Sequence, residues 1–507
     1  MAQVRCLLRG FRLQPSPLPC ADLRLKRYEA LAAEIEASIR NGVLQPGDRL
    51  PSVRSLCHSR GISASTVFQA YYLLEARGVV SARERSGYFV ASGVRRMPPE
   101  PEQASQPPDA SVAVDVSARV FDILAASDAR SVVPLGSAFP SPLLFPLQRL
   151  GQAMARAVKT LDPWSTVDDL TPGNAALRRQ IALRYLAQGM AVPTDDIIVT
   201  NGALEALNLC LSAVTRPGDA VLVESPAFYA ALQALERLGL QAIEVPTHPR
   251  EGMDLAALEA AIVRHRPRAC WLMSSFQNPL GSLMPEAKKR DLVALITRHR
   301  LPLLEDDVYG ELFLGAQRPL PAKAFDSEGL VMHCASFSKC LAPGWRIGWT
   351  VAGRFSQSVA RQKLTTTLGA NAPAQAALAE YLERGGFDKH LRRLRQFLAA
   401  AQAPFAEAVG HYFPPGTRAT RPEGGYFLWV ELPPGCDALA IHAQAIARGI
   451  SVAPGPIFSA SHGYRHCLRL NYGHGWDARI EGAIAVLGEL AHASQARAAS
   501  AIAQGMQ

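Results

Sequence analysis

The chain has 507 residues, 48% of them apolar, enough for two to four domains around a large core. It holds no run of about 18 uncharged apolar residues, which argues against a membrane span, and its opening MAQVRCLLRGFRL is broken by arginines and lacks a cleavage site, which argues against a secretory signal. The net charge of +9 sits almost wholly in residues 1–97, with 15 Lys and Arg against 7 Asp and Glu, while the remainder balances 38 against 37, so an anionic partner is expected for the front of a near-neutral body.

The first predicted element is a helix over 25–41, with Leu25, Tyr28, Leu31, Ala32, Ile35 and Ile39 at helical spacing and Gly42 as its stop. LQPGDRLPS then turns the chain, and Ser52 is placed to cap a short helix through His58. Gly61-Ile62 makes a tight turn. Ser63 can cap a third helix over residues 64–77, whose inward stripe is Val67, Ala70, Tyr71 and Leu74, with Gly78 ending it. Val79–Ser81 and Tyr88–Val90 read as a two-stranded wing. Three helices and a wing, with a short turn before the third helix, make a winged helix-turn-helix.

These segments, LQPGDRLPSVRSL, GISASTVFQAYYLLEARGVV and SGYFV, resemble the DNA-binding domain of the GntR family. The resemblance implies that the Ser63–Gln69 face enters the major groove of double-stranded DNA. It implies contacts by Arg49, Arg54, Ser63, Ser65, Thr66, Gln69 and the wing at Arg85 and Gly87. The family often carries an arginine directly after the cap serine, and here that position is Ala64. Base readout is therefore left to Ser65, Thr66 and Gln69.

From Ala91 the composition turns to Pro, Gln, Ser and Ala without periodicity, so 25–92 is bounded as the DNA-binding domain and 93–112 as a semi-extended linker holding it away from the rest. The nine cysteines contain no C-x-x-C pair. They read as free thiols of a cytoplasmic protein rather than a disulfide frame or a metal site.

Over 113–490, short apolar runs alternate with helical stretches, the pattern of a mostly parallel α/β sheet. Polar residues follow the predicted strands, where open α/β sheets build ligand sites. Asp196–Thr200 delivers Asn201, Gly202, Ala203 and Leu204 at a helix start suited to a phosphate. Ala220–Glu224 delivers Phe228, Ala269–Ser274 delivers Asn278, and Leu301–Glu305 delivers Asp306 and Tyr309. The run VMHCASFSKCLAPGWRIGW ends in Ser336, Ser338 and Lys339, with Arg346 beyond. An amine just past a strand end, among hydroxyls and an arginine, suits a phosphate-bearing carbonyl cofactor that forms a Schiff base. Taken alone, that window also suits a solvated surface lysine.

Together and in this order, the segments resemble the fold-type I pyridoxal-phosphate enzymes of the aspartate aminotransferase superfamily, across nearly all of 130–480. The resemblance implies pyridoxal 5'-phosphate on Lys339, with Asp306 at the ring nitrogen, Asn278 and Tyr309 at the ring hydroxylate and Phe228 on the ring face. It implies a phosphate held by the Gly202–Leu204 backbone, Ser336, Ser338 and Arg346, and a substrate carboxylate on Arg469. A tyrosine that commonly reaches the partner's phosphate is replaced here by Asp168.

A GntR-type winged helix, a linker and an aminotransferase-like body resemble the MocR subgroup of bacterial transcriptional regulators, closest to its YdcR-like branch. That resemblance implies a two-fold homodimer with two DNA-binding heads, in which an amine or amino acid, or the cofactor itself, is sensed through an aldimine. The alternative is a catalytically active aminotransferase carrying a DNA-binding head, and residual transamination fits the complete residue set.

Overall fold

The computed structural model describes residues 27–40, 43–44, 47–76, 79–83, 87–90, 97–126, 131–167 and 172–505. The chain divides into two compact units, residues 1–95 and 96–507.

In the first unit, helices α1 (Arg27–Arg40), α2 (Val53–Arg60) and α3 (Ala64–Ala76) precede strands β1 (Val80–Arg83) and β2 (Gly87–Val90). Ser52 caps α2, its hydroxyl accepting from the Ser55 amide, and Gly61 stops that helix in the left-handed region. Helix α2 runs two residues beyond the expected His58. The periodicity of α1 and α3 is cashed in as burial: Leu31, Ala32, Ile35 and Ile39 meet Val67, Ala70, Tyr71 and Leu74, with Leu50, Leu56, Val80 and Val90 closing the core. β1 and β2 pair antiparallel from Val80↔Val90 to Arg83↔Gly87. Tyr71 ties α3 to its surroundings, its hydroxyl donating to the Pro51 carbonyl and its ring lying 4.8 Å from that of Tyr88. Leu25, Gly42, Gly78 and Arg85 lie outside the described residues.

The second unit begins as a strap. Residues 97–112 read from composition as linker, yet they lie along the body. Pro98 and Pro101 are buried. Glu100 pairs with Arg250 and, at 3.7 Å, with Arg421. Ser105 receives a hydrogen bond from the Thr247 amide and donates to the Ser225 carbonyl. Asp109 pairs with Arg264 and His265. The strap ends as strand β3 (Ser111–Ala113), antiparallel to a body strand. The physical reason for the difference is long-range pairing, since each partner lies more than 100 residues away in sequence.

The body's longer strands are β4 (Ile197–Thr200), β5 (Ala220–Ser225), β6 (Gln241–His248), β7 (Ala269–Leu272), β8 (Leu303–Asp306), β9 (Val331–Ser336) and β10 (Gly348–Val351). They form a sheet ordered β3-β6-β5-β7-β8-β9-β10-β4, with Gly252–Met253 hairpinned onto β6. From β6 to β9 the pairing is parallel, and β10 runs antiparallel to both β9 and β4. A parallel strand must be buried on both faces, which is why β7, β8 and β9 carry no exposed residue. The parallel strands end together, so the residues following β5, β7, β8 and β9 share one edge. A smaller antiparallel sheet follows, built from Arg418–Ala419, Phe427–Glu431, Cys467–Asn471 and Ala453–Pro454. The last helix runs Ala478–Gly505, past the expected boundary at 490, and buries Leu487, Leu490 and Ala491. No helix among the described residues is long and apolar enough to cross a membrane.

Candidate functional site

In the body the strand ends bring most of the candidate residues together. Asp306 closes β8 fully buried, and its Oδ1 has no hydrogen-bond partner. Burial and the neighbouring Asp307 push its carboxyl up to about 7, against the pull of the Val308 amide and Lys339. Asp307 does the opposite. Burial alone would raise it, but the Arg318 guanidinium and His333 hold it down at about 2. Behind it, His333 hydrogen-bonds Tyr185 at 2.9 Å, and the Trp349 indole donates to the same hydroxyl at 2.7 Å. Two adjacent carboxyl groups thus have separated proton affinities.

Lys339 donates to the Ala138 carbonyl at 3.0 Å, and its ammonium lies 3.5 Å from the Phe139 ring centre. Burial, then the cations Arg469 and Arg346, lower its pKa to about 7 despite Asp306. Arg469, fully buried on Cys467–Asn471, donates to Asn278 Oδ1 at 3.1 Å and to the Gly136 and Ser137 carbonyls at 2.6 and 3.2 Å. Its Nε has no partner. Asn278 in turn donates to the Tyr309 hydroxyl at 3.4 Å. Arg469, Asn278 and Tyr309 therefore form a continuous polar line.

The end of the site at Gly202 and Arg346 is crowded by the backbone. Gly202 opens helix α4 (Ala203–Val214) at φ +85, and a Cβ there would stand 2.5 Å from Arg346 Nη2. Only glycine fits both that dihedral and that approach. Arg346 donates to Ser338 Oγ and to the Asn201 carbonyl, each at 3.4 Å. The Ser336 hydroxyl accepts from the Ser338 amide at 3.3 Å. Ala203 is buried and the Leu204 side chain is exposed, so at Leu204 only the backbone amide is a candidate contact. Phe228 begins helix α5 (Tyr229–Arg237), its ring 4.9 Å from Tyr229. Asp168 lies outside the described residues.

Sequence reasoning missed two sets of groups, and it placed Tyr229 past the strand Ala220–Glu224 without a role. The carbonyls of Gly136, Ser137 and Ala138 carry no side-chain signal, yet they receive Arg469, Lys339 and the Tyr426 hydroxyl. Tyr229 engages Arg469. Glu224 is buried, and burial raises its carboxyl to about 8; an acidic residue inside an apolar strand was the available signal.

The head presents its candidates openly. Arg49 bridges to Phe89, and its guanidinium lies 3.5 Å from where a Cβ on Gly87 would stand. Arg54, Ser65 and Gln69 are exposed. Ser63 caps α3, accepting from the Thr66 amide at 3.3 Å, with Ser65 Oγ and Thr66 Oγ1 at 2.9 and 2.8 Å from its hydroxyl.

A winged helix-turn-helix joined to an aminotransferase-type body with a half-buried lysine defines a class of DNA-binding regulator. The family model "Bacterial regulatory proteins, gntR family" matches residues 27–90, and "Aminotransferase class I and II" matches residues 152–487. The chain is 47% identical, over 92% of its length and 99% of the relative's, to the HTH-type transcriptional regulator YdcR of Escherichia coli. It is 39% identical to that organism's regulator YjiR, over 88% of this chain and 95% of the relative. Among solved structures it is similar to LysN, the alpha-aminoadipate aminotransferase of Thermus thermophilus complexed with N-(5'-phosphopyridoxyl)-L-leucine. That match has 30% identity and a TM-score of 0.68, over 76% of this chain and 96% of the other. The chain belongs to the MocR subgroup of GntR-family transcriptional regulators.

Proposed function

We propose that this regulator holds pyridoxal 5'-phosphate in its body and answers an amine or amino acid bound there. The observation that carries the reading is Asp306, buried with one carboxylate oxygen unpartnered, in a site that also holds a desolvated lysine. When bound, the cofactor supplies an electron-withdrawing ring and a carbonyl that amines attack. The chain's own residues fit it. Asp306 would meet the ring nitrogen, Asn278 and Tyr309 the ring hydroxylate, and Phe228 the ring face. The Gly202–Leu204 backbone, Ser336, Ser338 and Arg346 would take the phosphate. Lys339 would be the attachment point and Arg469 the partner of an effector carboxylate. Support comes also from the LysN complex, which carries a phosphopyridoxyl group.

The head, bounded at 25–92, would bind double-stranded DNA, and the chain would work in the cytoplasm as a homodimer built on residues 113–490. Exposed Leu143, Leu147, Trp164 and Val167 on the body favour a second copy as their cover. A two-fold dimer offers two heads to paired half-sites. An effector that prefers one state of the body would then change operator affinity.

The test is absorption spectroscopy of the protein with pyridoxal phosphate, before and after borohydride. A visible band that borohydride removes, absent in Lys339→Ala, is expected. Because the Lys339 amine is lowered to about 7, attachment should quicken as pH rises through that value rather than near the ordinary lysine range. No band in the unaltered protein overturns the cofactor reading. The convergence of Lys339, Asp306, Asn278, Tyr309 and Arg469 also favours a second reading, a working aminotransferase with a DNA-binding head. Repeated turnover with a keto acid would decide for it, and amine-dependent DNA binding without turnover would decide against it.

A further inference from the structure

We infer that α3 reads thymine–adenine pairs, using Ala64 and Phe68 against thymine methyl groups and Gln69 against adenine. The inference rests on the head binding DNA and deepens that reading by naming the base pairs it selects.

The outward face of α3 is composed of Ala64, Ser65, Phe68, Gln69 and Tyr72, all exposed. Ala64, Phe68 and Tyr72 are spaced four apart, so they line one stripe of the helix. Phe68 is 41% exposed and Tyr72 56%, and their rings lie 6.2 Å apart at an interplanar angle of 24°. Helix α3 contains no lysine or arginine along its whole length, ASTVFQAYYLLEA. The commonest guanine contact is a cation to O6 and N7, and this helix has none to offer.

The hydroxyls at the start of α3 are partly engaged with one another. Ser63 caps the helix, and its hydroxyl holds those of Ser65 and Thr66 at 2.9 and 2.8 Å. In the first two turns, which meet the base edges of a major groove, the free groups are a methyl, a phenyl ring and the Gln69 amide. The thymine methyl is the apolar feature of the major groove, and adenine pairs with an amide twice, its N7 accepting from the amide nitrogen and its N6 amino group donating to the amide oxygen. Both features belong to the same base pair. Charge argues for nucleic acid as the occupant of this face: residues 1–97 carry 15 cationic against 7 anionic side chains, and Arg49 and Arg54 stand exposed on neighbouring segments to meet phosphates.

The test uses the full chain and a randomised duplex library to select preferred sites, then fluorescence anisotropy at one fixed salt concentration. In the selected duplex, thymine is replaced by uracil one position at a time, which removes only the methyl. Selected half-sites are expected to carry consecutive A·T pairs. At one or two thymines, uracil should weaken the unaltered protein about fourfold each, the worth of one buried methyl. Phe68→Ala should lose a similar factor on the thymine duplex and become indifferent to the replacement, while Ala64→Arg should move the selected base towards guanine. Half-sites built from G·C pairs, or uracil neutral at every position for the unaltered protein, would overturn the inference with DNA reading intact. The uracil comparison needs no variant to fold. Equal binding to every duplex would instead overturn sequence reading by the head, and this inference with it.

Discussion

The body keeps the centre of its candidate site under cover, with Lys339 and Phe228 half-buried and Arg346 exposed at its rim. Asp306, Asn278, Tyr309 and Arg469 are each at most 1% exposed, and each is surrounded by rings, carbonyls or opposite charges. The head keeps its candidates in the open: Arg49, Arg54, Ser63, Ser65, Gln69 and Gly87 are exposed, with Thr66 half-buried. A buried polar group must be satisfied by its own chain or by a ligand, so the body's site is specified by packing. An exposed group is satisfied by water until a partner arrives, so the head's specificity is decided by what its surface lacks as much as by what it offers. Substitutions in the body therefore disturb stability and binding together, while those on the face of α3 separate the two.

The largest effect should come from Asp307→Asn. It removes the carboxylate that Arg318 and His333 share, leaving Arg318 only Glu311 at 3.4 Å, and breaking such a buried pair costs about 3–5 kcal/mol. Denaturant unfolding should show that loss, and a loss below about 1 kcal/mol would mean that the body's buried charges do not depend on one another as the comparison requires. The same change removes a like charge from beside Asp306, whose carboxyl should then titrate lower than about 7.

Gly202→Ala should come next. It forces a side chain into φ +85 and onto Arg346, a strain of about 1–3 kcal/mol. A lower unfolding midpoint and weaker uptake of pyridoxal phosphate are expected together. Stability lost with uptake unchanged would separate Gly202 from the phosphate.

Ser52→Ala should be smallest, about 1 kcal/mol from the loss of a helix cap in the head. Anisotropy should show the ratio of specific to non-specific DNA affinity unchanged, because Ser52 supports α2 and not the outward face of α3. A changed ratio would show that the head's stability and its reading of DNA are linked after all.

How far these contrasts were legible in the sequence follows from the same physics. That the body's strand-end residues, from Gly202 to Arg346, gather at one edge was readable because open α/β sheets collect polar residues there, while their separate roles came only from the family resemblance. The core of the head was readable because helical spacing sorts Val67, Ala70, Tyr71 and Leu74 from their neighbours. The strap was not. Prolines and serines look alike in a free linker and in a segment pinned by Glu100 and Asp109, because the pinning residues, Arg250 and Arg264, lie some 150 positions away. The partners of Lys339 and Arg469 were invisible for another reason: a carbonyl oxygen belongs to every residue.

The short turn at Gly136–Phe139 also fixes what must travel together when such proteins are recombined. It supplies acceptors to Lys339, Arg469, Tyr426 and Asn471, yet it precedes residue 152, where the match to the aminotransferase family begins. A body excised at that family boundary would carry the candidate side chains from Phe228 to Arg469 and lose the atoms that aim them. Exchange of heads between relatives is better made upstream of residue 97, where both strap and turn stay with the site they complete.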